Sequence, residues 1–484
     1  MNNYTVSWFV VLLYVAVIIG LTVYIRSKKQ SLESFALGGR TTGPVFIGLS
    51  LAANMTSAAT FIINPGLVYH YGLAGFLGYA VAAPAGIFTA LVLMTKKFRI
   101  SGEQVAALTI PQWIGSVFKS NTLKKLFAMI SVLQITFIVL ITVGVGKVLS
   151  ATLQLPFELV SAVIIVFTIS YIIVGGTRLH IYTNTVQAFV MIIAAAIMVS
   201  SGPLFAGISL ESLFGSLSSI NPNLTGMVNP ESLLFRNYFE VYVANFIVGI
   251  AIICQPHILS KSLYLKSEKD VNTYLTTAIL ASVLFFGILF SGLYARVFLN
   301  DPSIKVDSVM VTFITKLFHP AVLSVIILGV LSAGFSTLEG LFIALSTIFS
   351  IDLIGERSKK IFGQDSEKSL LYTTYAVLVI IAIITYAFTL DQFYHPSLSV
   401  AIFAQNGIYG LFIATFWPVF LGLFTQYRNS KVIFAATVTA LIVHFGMNML
   451  SIGTMSNNPA VTASAGLVSA GVVIAAFFFF GAKK

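Results

Sequence analysis

Thirteen stretches of about twenty mostly apolar residues, separated by short polar links, run the length of this chain and decide what it can become. They lie near 6–25, 45–69, 73–94, 123–151, 158–175, 182–207, 239–260, 271–298, 321–350, 369–389, 398–424, 431–450 and 460–481, and are numbered spans 1 to 13. About 30 Å of hydrocarbon, crossed at about 1.5 Å per residue, asks for a helix of this length. The runs are continuous rather than alternating, so they predict helices and not barrel strands. With 57% of residues hydrophobic and 9% charged, a water-soluble fold would have to expose these runs. Lipid is the solvent that suits them. The expectation is an all-α polytopic membrane protein, a single transmembrane unit over residues 1–484.

The net charge of +11 does not point to nucleic acid, because the cations sit in short clusters between apolar runs and form no basic domain. Their distribution tests the span count instead. With thirteen spans and the N-terminus outside, 22 of the 27 Lys and Arg fall on the cytoplasmic side. Among them are Arg26, Lys28, Lys29 and Arg40 in the first loop, Lys261, Lys266 and Lys269 after span 7, and Lys483 and Lys484 at the end. The outer side keeps Lys147, Arg236, Arg296, Lys305 and Lys316. An error in the count would scramble this alternation beyond it. The expected topology in the plasma (cytoplasmic) membrane is therefore N-terminus outside and C-terminus cytoplasmic. The N-terminus has no basic region or small-residue cleavage site, so span 1 is expected to be retained. Cys254, the single cysteine, excludes an intramolecular disulfide. The segments near 208–238 and 299–320 are expected as external loops.

Transporters place ions and solutes where helices unwind at mid-membrane, because freed backbone carbonyls can then coordinate cations. Two spans carry that signature. Span 2 reads Ser50-Leu51-Ala52-Ala53-Asn54-Met55-Thr56-Ser57-Ala58-Ala59-Thr60, then Asn64-Pro65-Gly66, and span 7 holds Cys254-Gln255-Pro256-His257. They are five helices apart and cross in opposite directions, as two inverted five-helix repeats, spans 2–6 and 7–11, would require. Span 9 adds Ser332, Ala333, Ser336, Thr337, Glu339 and Gly340. Hydroxyls and a carboxylate deep in a span are costly unless they line a cavity or bind something, and hard oxygen ligands suit a small hard cation. His70, His180, His319, His395 and His444 are scattered and read as interfacial or packing residues. No phosphate-binding glycine loop, metal-ligand cluster or nucleophile–base pair is visible, so an enzyme is not expected.

Further pieces are Leu37-Gly38-Gly39-Arg40, Tyr69 with Gly72, Gly175-Gly176 followed by Thr183-Asn184-Thr185-Val186-Gln187, and Gln255-Pro256-His257-Ile258-Leu259. With the run of span 2, Ala333-x-x-Ser336-Thr337, and Asp352 fifteen residues later, they resemble the sodium:solute symporter family, which includes bacterial proline, galactose, sialic-acid and pantothenate transporters. The resemblance implies a LeuT-type fold and Na+-coupled uptake by alternating access. It places one sodium ion between spans 2 and 9, on the carbonyls of Ala53 and Thr56 and on Ala333, Ser336 and Thr337. A register shifted by one would use Ala52 and Met55. Some relatives hold a second sodium with an aspartate in span 6 and small hydroxyl residues in span 9. Here those positions are Asn184, and Glu339 with Gly340. The carboxylate has thus moved to span 9, where Glu339 would neutralise a second cation or carry a proton, or would hydrogen-bond Asn184 or a neighbouring helix.

Solute contacts implied by the resemblance fall on Ser57 and Thr60 of span 2, Tyr79 of span 3 and Gln255 of span 7. The paired hydroxyls disfavour a sugar and prefer a small organic acid or an amino acid, although span 4 offers Gln134 and no arginine. Lys147 is expected to snorkel towards the outer headgroups. The alternatives to symport are a proton-coupled or uncoupled transporter using Glu339, and a membrane sensor with a separate signalling partner.

Overall fold

A computed structural model of the chain describes residues 3–25, 32–37, 42–357, 366–396, 399–453 and 455–481. Gly38, Gly39 and Arg40 of the first-loop motif lie outside the described residues, as do Arg26, Lys28, Lys29, Lys483 and Lys484. Every regular element among the described residues is helical, and the fold is of the LeuT type. Among the described residues, ten helices are long and apolar enough to cross a membrane, and two bent pairs raise the count to twelve. The bent pairs are spans 2 and 7. Pro44–Met55 and Ala59–Tyr71 meet at 52°, and Phe239–Ile252 and Pro256–Tyr264 meet at 60°.

The difference from thirteen lies at spans 5 and 6, which run as one helix of 43 residues, Phe157–Val199. At about 1.5 Å per residue it measures about 65 Å, twice the hydrocarbon thickness. It is interrupted at Gly176, whose φ of 55° and ψ of −154° suit only a residue without a side chain. The first-loop residue Phe35 packs against that bend, 3.0 Å from where a Cβ would stand. Dividing the helix at Gly176 would return the thirteen spans.

Span 9, Pro320–Ile348, is buried on nearly all sides and packs most extensively against the long helix of spans 5 and 6. Span 2 packs against both, while spans 11, 12 and 13 form a neighbouring group. Leu93, Val163, Ile193, Leu280, Ile383 and Ile442 are each more than half exposed and turn an apolar surface outward, where lipid covers it. The segment near 299–320 contains a helix, Val306–Leu317, seated on the second half of span 2, where Gly66 lets the Val306 carbonyl approach. Lys147, expected to snorkel, faces Asp307 of this helix at 3.5 Å, and Asp307 also accepts from Ser399 Oγ at 2.7 Å.

Spans 3 and 7 cross closely because each supplies a glycine at the contact. A Cβ at Gly86 would strike the Phe246 carbonyl, and one at Gly249 would strike that of Ala83. Gly249→Val is expected to destabilise the protein by about 1–3 kcal/mol, the usual cost of overpacking. Gly215→Ala, where the added carbon meets nothing within 4 Å, should leave the melting temperature in detergent unchanged or slightly raised.

Candidate ion and solute site

The break in span 2 is written in hydroxyls. The first half ends at Met55, and Thr56 leaves the helical path with φ −109° and ψ 85°. Ser57 Oγ then accepts the amide of Ala59 at 3.2 Å, a side chain taking the role of a helix carbonyl. The break in span 7 is written in proline. Pro256 has no N–H to donate and forces Gln255 into an extended conformation, φ −63° and ψ 133°.

Between the two breaks lies a cavity of about 120 Å³. Ser57, Thr60, Tyr79 and Gln255, the four residues expected to meet solute, all line it. Asn64, Gln405 and Tyr409 join them, which sequence reasoning missed, with Phe137, Phe286 and Phe412 among the apolar walls. A lone amide such as Gln405 inside an apolar span was the signal available. Tyr79 Oη and the Gln405 amide are hydrogen-bonded at 3.0–3.3 Å, and Tyr79 lies in a π-helical turn, Leu77–Ala82, that displaces it from regular helical phase. Gln255 Oε1 is buried without a hydrogen-bond partner. No Asp, Glu, Lys or Arg is among the lining residues. Gln134 turns back on its own helix, to the Ser131 carbonyl at 3.3 Å.

Beside the cavity, spans 2 and 9 bring oxygens together. Ser336 Oγ lies 3.1 Å from the Ala53 carbonyl and 3.0 Å from that of Ala333. Thr337 Oγ1 lies 3.1 Å from the Ala333 carbonyl and 3.4 Å from that of Asn54. Ala53, Ala333, Ser336 and Thr337 thus meet; Thr56 is not joined to them by a hydrogen bond, and its buried hydroxyl has no partner among the described residues. Neutral carbonyl and hydroxyl oxygens of this kind fit a small hard cation that must also be released.

Glu339 is fully buried and does not bond Asn184. Tyr171 Oη donates to it at 2.7 Å, Thr183 Oγ1 at 2.7 Å and the Gln187 amide at 3.2 Å, and His180 Nδ1 lies at 3.0 Å. His180 is therefore not a packing residue; it is part of a carboxylate cage. Asn184 instead meets the side chain of Asn54 at 2.6 Å and the Ser336 carbonyl at 3.4 Å. Lys261, counted above among the cytoplasmic cations, is 1% exposed. Its Nζ donates to the Ser50 carbonyl at 3.0 Å and to Ser50 Oγ at 2.5 Å. Its place five residues after Pro256 was the clue that it belongs to the second half of span 7 rather than to a loop.

This geometry has relatives. The sodium:solute symporter family matches residues 35–440. The chain belongs to that family. A sodium/pantothenate symporter of Haemophilus influenzae is 24% identical over 91% of this chain and 89% of its own. A sodium/proline symporter of Escherichia coli is also 24% identical, over 85% of this chain and 81% of its own. The solved structure of a Na+-coupled sialic acid symporter in a substrate-bound outward-open state superposes with a TM-score of 0.75 at 16% identity, covering 97% of this chain and 96% of that one. This family member is therefore a sodium-coupled symporter of a small solute in the plasma membrane, a transporter and not an enzyme.

The carboxylate cage makes a thermodynamic demand. Tyr171→Phe and Thr183→Val each remove a hydrogen bond to a buried acid and are expected to cost about 1–3 kcal/mol. Thr347→Val, which removes a buried hydroxyl that has no partner, should cost less in the same melting measurement.

Proposed function

We propose that the coupling sodium ion is held by the carbonyls of Ala53, Thr56 and Ala333 and the hydroxyls of Ser336 and Thr337, and that the solute sits in the adjoining cavity against Ser57, Thr60, Tyr79 and Gln255. The meeting of Ala53, Ala333, Ser336 and Thr337 at the break of span 2 carries this reading. An ion there bridges span 9 to span 2, and solute contacts begin one residue beyond the ligands. Each therefore favours the same arrangement of the broken helix, which is what coupling requires. Spans 2–6 and 7–11 act as the two inverted repeats of a single unit over 1–484, with the N-terminus outside and the C-terminus in the cytoplasm. Rocking of one group of helices against the other separates span 2 from span 9 and releases sodium and solute inward.

The preferred solute is a small organic acid rich in hydroxyl and amide groups, of the kind the pantothenate relatives carry, with an amino acid second. Eight neutral polar side chains and no charged one line the cavity, so recognition proceeds through hydrogen bonds. A carboxylate finds its favourable field at the start of the outer half of span 2, where the helix dipole ends at Ala59.

Sodium, with choline as the substitute cation, is expected to raise the melting temperature of the purified protein, and Ser336→Ala and Thr337→Ala to abolish that rise. Uptake of labelled pantothenate and proline into proteoliposomes should require a sodium gradient. Stabilisation that is equal in choline would sink the assignment. In a Cys254→Ala background, Lys305→Cys should react with an impermeant thiol reagent added to intact cells and Lys269→Cys should not; the reverse pattern would invert the topology.

A further inference from the structure

We propose that this protein binds one anionic glycerophospholipid, with an acyl chain in the groove between spans 11 and 13 and the phosphate in the adjoining pocket between spans 11 and 3. The inference is independent of the sodium and solute sites. It concerns the end of the molecule proposed above to face the cytoplasm.

Two surface recesses, of about 660 and 670 Å³, meet where the helix of span 11, Val400–Phe424, ends, and Thr425 and Gln426 line both. The first is apolar. Trp417 and Leu421 of span 11 line it with Gly471, Ile474, Ala475 and Phe478 of span 13, Pro459–Gly481. Gly471 leaves room for the indole, since a Cβ there would come within 2.7 Å of the ring. The indole N–H is satisfied by the Leu467 carbonyl at 2.8 Å, so Trp417 offers the groove an apolar ring. From Gly471 to Phe478 the groove follows about 10 Å of helix. An apolar furrow on the lipid-facing side of a membrane protein accepts an acyl chain.

The second recess is polar and cationic. Lys97, Ser101 and Gln104, from the end of the span 3 helix, Ala83–Gln104, line it with Gln426 and Arg428. The Lys97 ammonium stands 5.0 Å from the centre of the Phe424 ring. Arg428 folds back on the end of span 11. Its Nη1 donates to the Thr425 carbonyl at 2.8 Å and the Tyr427 carbonyl at 3.0 Å, and its Nη2 to the Gly422 carbonyl at 3.3 Å. These bonds fix the guanidinium and leave the Nε–H and one Nη2 proton for a ligand. No Asp or Glu lines the recess, and the neighbouring Glu103 is bonded to Arg99 at 2.7 Å. Among the described residues neither Lys97 nor Arg428 has an ion pair. Two cations without an anion, beside an apolar groove, match a phosphodiester that carries an acyl chain. Basic pockets between helices at headgroup level hold anionic lipids in this way.

The test adds palmitoyl-oleoyl phosphatidylglycerol, or the matching phosphatidylcholine, to delipidated full-length protein and counts bound lipid by native mass spectrometry. Wild type is expected to retain one phosphatidylglycerol in preference to phosphatidylcholine. Lys97→Gln should weaken that binding about fivefold, the attraction of one cation near an anionic surface, and leave phosphatidylcholine unchanged. Ala475→Trp fills the groove from an exposed position and should weaken the same lipid with every cation in place. Lys125→Gln, which removes an exposed cation outside both recesses, should change nothing. Equal retention of the two lipids, no loss in Lys97→Gln, or an equal loss in Lys125→Gln would overturn the proposal and leave ordinary boundary lipid. Unchanged binding in Ala475→Trp would part the headgroup from the groove and overturn it as well. Inorganic phosphate that raised the melting temperature as much as phosphatidylglycerol would assign the pocket to a free anion instead.

Discussion

In hydrocarbon a backbone amide or carbonyl has no water to turn to, so a helix that breaks inside the bilayer must supply its own substitute partners. The whole architecture follows from that constraint at two points. At the first, Ser57 takes over the amide of Ala59, while the Thr56 amide closes the preceding helix on the Ala52 carbonyl. At the second, Pro256 removes a donor and Gln255 is drawn out straight. Polar groups freed at depth are expensive unless something binds them, and spans 3, 9 and 11 are arranged around these breaks with amides, hydroxyls and close glycine contacts.

A second theme is the separation of charge from the solute cavity. The cavity is lined by apolar and neutral polar side chains, whereas the buried Glu339 and Lys261 stand apart from it, inside a network that links spans 2, 5, 6, 7 and 9. Asn54 is the junction. It lies one residue from the Ala53 carbonyl, it touches Asn184, and its carbonyl meets Thr337. The first half of span 2 thus touches both the oxygen cluster, through the Ala53 and Asn54 carbonyls, and Lys261, through Ser50. That is a physical route for coupling ion occupancy to helix position, because both depend on the same short stretch of backbone.

Much of this was legible before any coordinates. Hydroxyl and proline clusters inside otherwise apolar runs located both broken spans, since such residues are tolerated at depth only where the helix yields. Ser57, Thr60, Tyr79 and Gln255 were placed at the cavity by the same reasoning joined to the family resemblance. Lys261 was misread, because a basic residue near the end of a span looks the same whether it faces cytoplasm or turns inward to Ser50. His180 was set aside for a similar reason, and Tyr171 was not considered, as a tyrosine in an apolar helix carries no sign of an acid on a helix 168 residues away. Spans 5 and 6, expected as two crossings ending near 175 and beginning near 182, run as one helix with a break in its backbone at Gly176.

The sequence by itself determined that this chain lives in lipid, roughly how often it crosses, and which crossings are broken. Those properties are set by local composition and by the transfer cost of each residue, which do not depend on what lies next to it in space. Only the tertiary structure decided which polar groups find one another: Lys261 with Ser50, Glu339 with Tyr171 and His180, Tyr79 with Gln405. These partners are far apart in the chain, and their energies come from short-range contacts in a medium that does not screen them. No local pattern can encode such a meeting; the fold has to bring the groups within 3 Å of each other.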